Sequence, residues 1–129
     1  MTLTETLIAL LTAAGIDAYD GPPPATPGGP DPRYASLSVP PGVPSDERLA
    51  APQPNYRTTL TVMCVARTRP GLRALVATVR GALEHQRIGG FLLTERLDTR
   101  APVLTDGPAD DVRHSVTLYL TITTPRSLL

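Results

Sequence analysis

Apolar residues recur along this chain in two alternating periods, and each change of period predicts a change of element. Leu3, Leu7, Leu10, Leu11 and Ala14 are spaced as one face of a helix. Thr2-Leu3-Thr4-Glu5 before them fits a capping box, and Gly15 after them is placed for a left-handed stop, so a helix is predicted over residues 3 to 14. Ile16 to Asp20 leaves room for only a brief strand before Gly21-Pro22-Pro23-Pro24. Between Arg33 and Val39 the period becomes two, with Ala35, Leu37 and Val39 on one side. Tyr56 to Ala66 repeats it more strongly: Leu60, Val62, Cys64 and Ala66 point one way, Thr59, Thr61, Met63 and Val65 the other. That strand is expected to be central.

Thr68-Arg69-Pro70 opens a second helix, with Thr68 as its cap and Pro70 in the first turn, where a missing N–H does no harm. Leu72, Leu75, Val76, Val79 and Leu83 make its buried stripe, and Gly89-Gly90 are expected to end it. Phe91 to Leu97 alternates again, and Asp98 to Asp111 reads as a loop or the flank of a hairpin. Val112 to Thr123 gives the clearest alternation, with Val112, His114, Val116, Leu118, Leu120 and Ile122 on one face. A strand of that length spans about 40 Å, more than the roughly 35 Å breadth of a compact chain this size.

The order helix, strand, strand, strand, helix, strand, strand predicts an α+β fold. It is a two-layer sandwich, in which a mostly antiparallel sheet of four to five strands carries both helices on one face. The other face, rich in Thr, Ser, Arg and Tyr, is left for water or another protein. The 129 residues make one domain, 1–129, with a Pro-rich insertion at about 21–55, where eleven of thirty-five residues are proline. Within it, Pro40 to Asn55 reads as a sixteen-residue loop whose few apolar side chains, chiefly Val43 and Leu49, suit contact with a neighbouring subunit.

Composition narrows the function. Twelve Arg balance twelve acidic residues with no Lys, so zero net charge argues against electrostatic attraction to nucleic acid or an anionic membrane. The lone Cys64 excludes a disulfide scaffold and a cysteine zinc site. No apolar stretch near the start has the length of a membrane span or the basic flank of a signal peptide, so use in a reducing cytoplasm is expected.

Candidate chemistry is sparse. Cys64 and His114 fall on the apolar faces of their strands and become a pair only if those strands are neighbours, while a buried Cys is ordinarily inert. His85 suits the end of the second helix as a cation. Asp106, Asp110 and Asp111 cluster without the alternating oxygen ligands of a calcium loop. Phosphate-binding, dinucleotide, zinc-protease and serine-hydrolase motifs are absent from the sequence. Neither enzyme activity nor a cofactor or metal is expected. The sharper feature is Arg73, Arg80 and Arg87 at intervals of seven, with Arg69 near the same line, a stripe able to clamp carboxylates of a neighbouring subunit. The plainer reading has these side chains lying over the core edge, with Arg80 pairing with Glu84.

TLTETLIALLTAAGI, YDGPPP, RYASLSVPP with its following loop, TLTVMCVARTRPGLRALVATVRGALEHQRIGG and the closing DDVRHSVTLYLTITT together cover most of the chain. In that order they resemble the tail terminator proteins of long-tailed bacteriophages, particularly those of actinobacterial hosts. The resemblance implies a ring of subunits, a hexamer in that family, on the head-proximal end of the tail tube. Such a ring stops tube polymerisation and presents a surface to the head completion or connector protein. Its partners would be further copies of itself, the tail tube protein and the head side, with DNA only passing through the lumen and no membrane. Its location would be the virion, after assembly in the host cytoplasm. Other head–tail joining or tail completion proteins share such patterns. A second class is a small ligand- or RNA-binding α/β domain, for which Tyr34 and Tyr119 are the aromatic residues on the open sheet face.

Overall fold

The computed structural model describes residues 2–23, 33–40, 43–44, 55–96, 102–107 and 112–125. Helix α1 (Leu3–Ala13) begins with the capping box the sequence predicts: the Glu5 amide donates to Thr2 Oγ1 at 3.3 Å and the Thr2 amide to Glu5 Oε2 at 3.4 Å. It stops where Gly15 takes φ +82°. There the Gly15 amide donates to Thr12 O and the Ile16 amide reaches back to Leu11 O, both at 3.0 Å. This double closure satisfies the last carbonyls and sets Ile16 against Leu11, both buried.

β1 (Ala18–Asp20) follows, then β2 (Tyr34–Ser38), β3 (Val43–Pro44) and the long β4 (Asn55–Ala66). α2 (Arg69–Leu83) is capped by Thr68, whose Oγ1 accepts from the Gly71 amide at 3.0 Å. After it come β5 (Arg87–Ile88), β6 (Phe91–Leu92), β7 (Thr94–Glu95), β8 (Leu104–Asp106) and β9 (Arg113–Pro125). The main sheet runs β1-β2-β4-β9-β7, with β3 pairing with β4 and β8 with β9. β4 and β9 form its spine, antiparallel from Asn55↔Pro125 to Ala66↔His114.

Leu60, Val62 and Cys64 on β4, Leu118, Leu120 and Ile122 on β9, and Ala35 and Leu37 on β2 face one layer. Leu3, Leu7 and Leu11 of α1 and Leu72, Leu75, Val79 and Leu83 of α2 close over it, and all of these are buried. Twelve-residue alternation on both spine strands puts every second side chain on the core side, and the two helical stripes supply the other half of the core. The α+β sandwich, with helices packed on one face of the sheet, is the predicted fold class, but the sheet has seven strands where four to five were expected, because the short β3 and β8, in segments read as loop or hairpin flank, pair with β4 and β9.

Four details differ from the sequence reading. β1 pairs with β2 in parallel, Ala18 opposite Ala35 and Asp20 opposite Leu37. A parallel neighbour cannot be reached by a tight turn, and residues 21–33 supply the long connection it needs. Helix α2 ends at Leu83, not at the glycine pair: Glu84 is extended and His85 lies in the left-handed region at φ +61°. Gly89 and Gly90, at φ +60° and +86°, instead turn a two-stranded hairpin between β5 and β6, because a two-residue hairpin turn of this hand demands positive φ at both positions. Finally, Phe91 to Arg96, the described part of the predicted Phe91–Leu97 strand, is not one strand. Leu93 donates its amide to Gln86 O and accepts from His85 N, which ties β6 to the hairpin, and only Thr94 and Glu95 join the main sheet. In the Pro-rich insertion, Val43–Pro44 pairs antiparallel with Arg57 and Tyr56 instead of remaining loop.

Candidate interaction site

The structure separates the four arginines that heptad spacing had aligned. Arg69 and Arg73 are exposed on α2. Arg80 is half-buried on the same helix and is committed within the subunit: its Nε and Nη2 donate to both oxygens of Glu95 on β7, at 2.9 to 3.2 Å. The partner is Glu95, not the Glu84 that helical spacing suggested. Arg87 is not on the helix at all; it starts β5 and donates through Nη1 to Gly90 O at 3.3 Å, inside its own hairpin. A seven-residue interval aligns side chains only while the helix continues, and this one stops before Arg87. Val43 lies in β3, whereas Leu49 falls outside the described residues, as do Asp110 and Asp111.

β4 and β9 are neighbours, so Cys64 and His114 do come onto the same sheet face, Cys64 opposite Val116 and His114 opposite Ala66. They do not make a nucleophile. Cys64 is fully buried, and burial pushes its thiol up to about 12 despite the pull of the Arg80 charge. His114 shares a hydrogen bond through Nδ1 with Thr105 Oγ1 at 3.0 Å. Among the described residues no group of three His, Cys, Asp or Glu is placed to hold a metal ion, and no helix is long and apolar enough to cross a membrane.

Two concave surfaces stand out among the described residues. One lies between α2 and the β8–β9 hairpin, a groove of about 370 Å³ lined by Leu72, Val76, Val103, Val116 and Leu118, with Arg73 and Arg80 also on its wall. Beside it Val103 and Leu104 are exposed at 45% and 60%. The other lies on the open face of the sheet, a pocket of about 440 Å³ formed by Arg57, Thr59, Arg96 and Thr121. Register explains its composition: Thr59 stands opposite Thr121 on the spine, Arg57 is two residues along the same face of β4, and Arg96 follows directly after β7, which pairs with β9 at Thr121. The Arg96 amide donates to Tyr119 O at 2.7 Å and anchors that position. Thr121 Oγ1 is shielded from solvent and has no hydrogen-bond partner. Sequence reasoning missed this pocket. The Arg57–Thr59 alternation was a signal for half of it, but Arg96 reaches the same face only through the pairing of β7.

On the open face Tyr34 is not available as an aromatic platform. Tyr34 is only 7% exposed and meets Tyr19 edge to face with ring centroids 6.0 Å apart. A ring held that way is not free to stack on a base, which removes one of the two tyrosines on which an RNA-binding reading rests.

No family model matches the chain, and no curated protein is similar to it. Among solved structures, one chain of the virion of a native gene transfer agent particle is similar in fold. The superposition has a TM-score of 0.52 at 17% identity and covers 92% of this chain and 84% of that one. At this identity the likeness concerns the fold, and it extends over nearly the whole of both chains.

Proposed function

We infer that this chain is a structural subunit of a phage-like virion, and specifically that it forms the ring that caps the head-proximal end of the tail tube. The observation that carries the coarser part is the fold likeness to a virion chain over 92% of this sequence. The resemblance of its ordered segments to tail terminators carries the finer part. The architecture suits such work: a two-layer body, an open sheet face with a charged pocket, and an apolar groove beside an exposed hairpin give one subunit several separate surfaces for neighbours. The ring, six copies in that family, ends tube growth and joins the tail to the head completion or connector protein, while DNA passes through its lumen.

Electron microscopy of particles carrying a tagged copy of this chain tests the reading. Label confined to the junction of head and tail, together with overlong tubes when the gene is removed, is the expected result. Label elsewhere on the particle, or particles that lack the chain altogether, overturns it.

A further inference from the structure

We propose that the groove between α2 and the β8–β9 hairpin receives an amphipathic helix of a different protein of the particle, one whose apolar stripe is flanked by carboxylates. Reading the chain as a virion subunit supplies only the source of that helix; the groove itself rests on the geometry of α2 and the sheet.

The helical layer is narrower than the sheet beneath it. α1 packs against β1 and α2, and α2 lies over β4 and β9, so the two helices occupy successive positions across the sheet. The sheet goes on past α2 to β8. Leu104 pairs with Ser115, which sets Val103 level with Val116 on the helix side. There the core reaches the surface. Val76 of α2 and Val116 of β9 pack against buried core residues yet are only partly covered, and Val103 is 45% exposed. The next helix position, over β8 and the adjoining part of β9, is the groove of about 370 Å³.

The wall that α2 presents has the form against which helices pack. Leu72, Val76 and Arg80 make one row at intervals of four, and Arg73 and Ala77 make a second. Such rows are the ridges that interdigitate with a neighbouring helix at about 8–10 Å between axes, and the small Ala77 side chain allows close approach. An extended peptide would be held by main-chain hydrogen bonds at a strand edge, whereas these walls are side chains.

Charge selects the helix. Arg80 is engaged by Glu95, but Arg69 and Arg73, on the same side of α2, make no ion pair or hydrogen bond among the described residues. The first turn of α2 contains no acidic residue, so Arg69 adds to the positive end of the helix dipole without compensation, and Arg73 follows one turn on. Carboxylates beside the apolar stripe of an incoming helix supply that compensation. Neither α1 nor α2 of a second copy can be the occupant, because Leu3, Leu7 and Leu11 of the one and Leu75, Val79 and Leu83 of the other are buried in their own core. The helix therefore belongs to a different protein, and its contact is separate from any between copies.

Two measurements test this. In assembled particles, a photo-cross-linking amino acid replaces Val103 in one variant and Ala77 in another, and the captured peptide is identified by mass spectrometry. Both positions are expected to capture one segment of a different protein, with apolar residues three and four apart and Asp or Glu beside them. Capture of another copy of this chain, of a segment without that pattern, or of nothing at either position overturns the proposal. In solution, the full chain is titrated with a designed helical peptide of about four turns, carrying a leucine stripe flanked by glutamates, and with the same peptide bearing lysines in their place. Methyl NMR shifts at Val76, Val103 and Val116 are expected with the glutamate peptide. Affinity should be about tenfold weaker for the lysine peptide, and about tenfold weaker for the glutamate peptide in Arg69→Glu/Arg73→Glu. No shift at these methyls, or equal affinity for the two peptides, overturns the proposal. Absence of the chain from particles defeats the virion reading and leaves the groove to be decided by the titration, which needs no particle.

Discussion

Arg80 and Glu95 bind each other across the two layers, the helix α2 side chain reaching over the edge of the core to a glutamate on β7 whose side chain is only 8% exposed. Glu95 stands opposite Leu120, on the core side of the sheet, so without a partner its charge would face the apolar layer. The bidentate contact holds Arg80 firmly in its charged form, the Glu95 hydrogen bonds being the main cause. It also docks a strand of two residues, too short to be held by its own ladder. Arg80→Ala, which strands the buried Glu95 carboxylate, is expected to cost about 1–3 kcal/mol in urea denaturation, and Arg80→Met/Glu95→Met should recover much of that, because the loss comes from stranding one partner and not from the absence of the pair.

Arg69 and Arg73 provide the contrast. Both are exposed on the helix that carries Arg80. Arg69→Glu/Arg73→Glu should shift folding stability by no more than about 0.5 kcal/mol per site, and the helical circular dichroism signal should be unchanged. A defect of that variant in particle assembly would then report on contacts between subunits.

Cys64 makes stability fall with rising pH. Its thiol is held protonated up to about 12 in the folded protein, against the usual 9.0. Between those values the unfolded chain has lost the proton and the folded chain keeps it, so the unfolded state is favoured by about 1.4 kcal/mol per pH unit. Below pH 9.0 both states hold the proton and the effect vanishes. Thermal melting of Cys64→Val should therefore lose alkaline sensitivity relative to wild type, and the native wild-type thiol should resist alkylation at neutral pH.

Thr58 is 1% exposed on the core side of β4, opposite Ile122, and its hydroxyl has no hydrogen-bond partner. Thr58→Val keeps the shape and removes the orphaned group. A gain of about 0.5–2 kcal/mol in chemical denaturation is expected, since a buried hydroxyl without a partner costs about that much.

Local chemistry was legible in the residues themselves. The Thr2–Glu5 box, the Gly15 stop and the Thr68 cap act over a few neighbouring positions, and period-two alternation in Leu60 to Ala66 and Leu118 to Ile122 needs no partner to declare a core side. The fold class follows, because two amphipathic stripes and a one-sided sheet have few ways to bury themselves together. What could not be read there is pairing between distant segments. The parallel β1–β2 register, the use of Gly89-Gly90 as a hairpin turn instead of a helix stop, the choice of Glu95 over Glu84 by Arg80, and the meeting of Arg57 with Arg96 all depend on which strands become neighbours. Spacing along the chain ranks contacts by local geometry alone. Tertiary packing decides among them by total burial, and here it ended the helix early so that Ile88 and Leu93 could join the core.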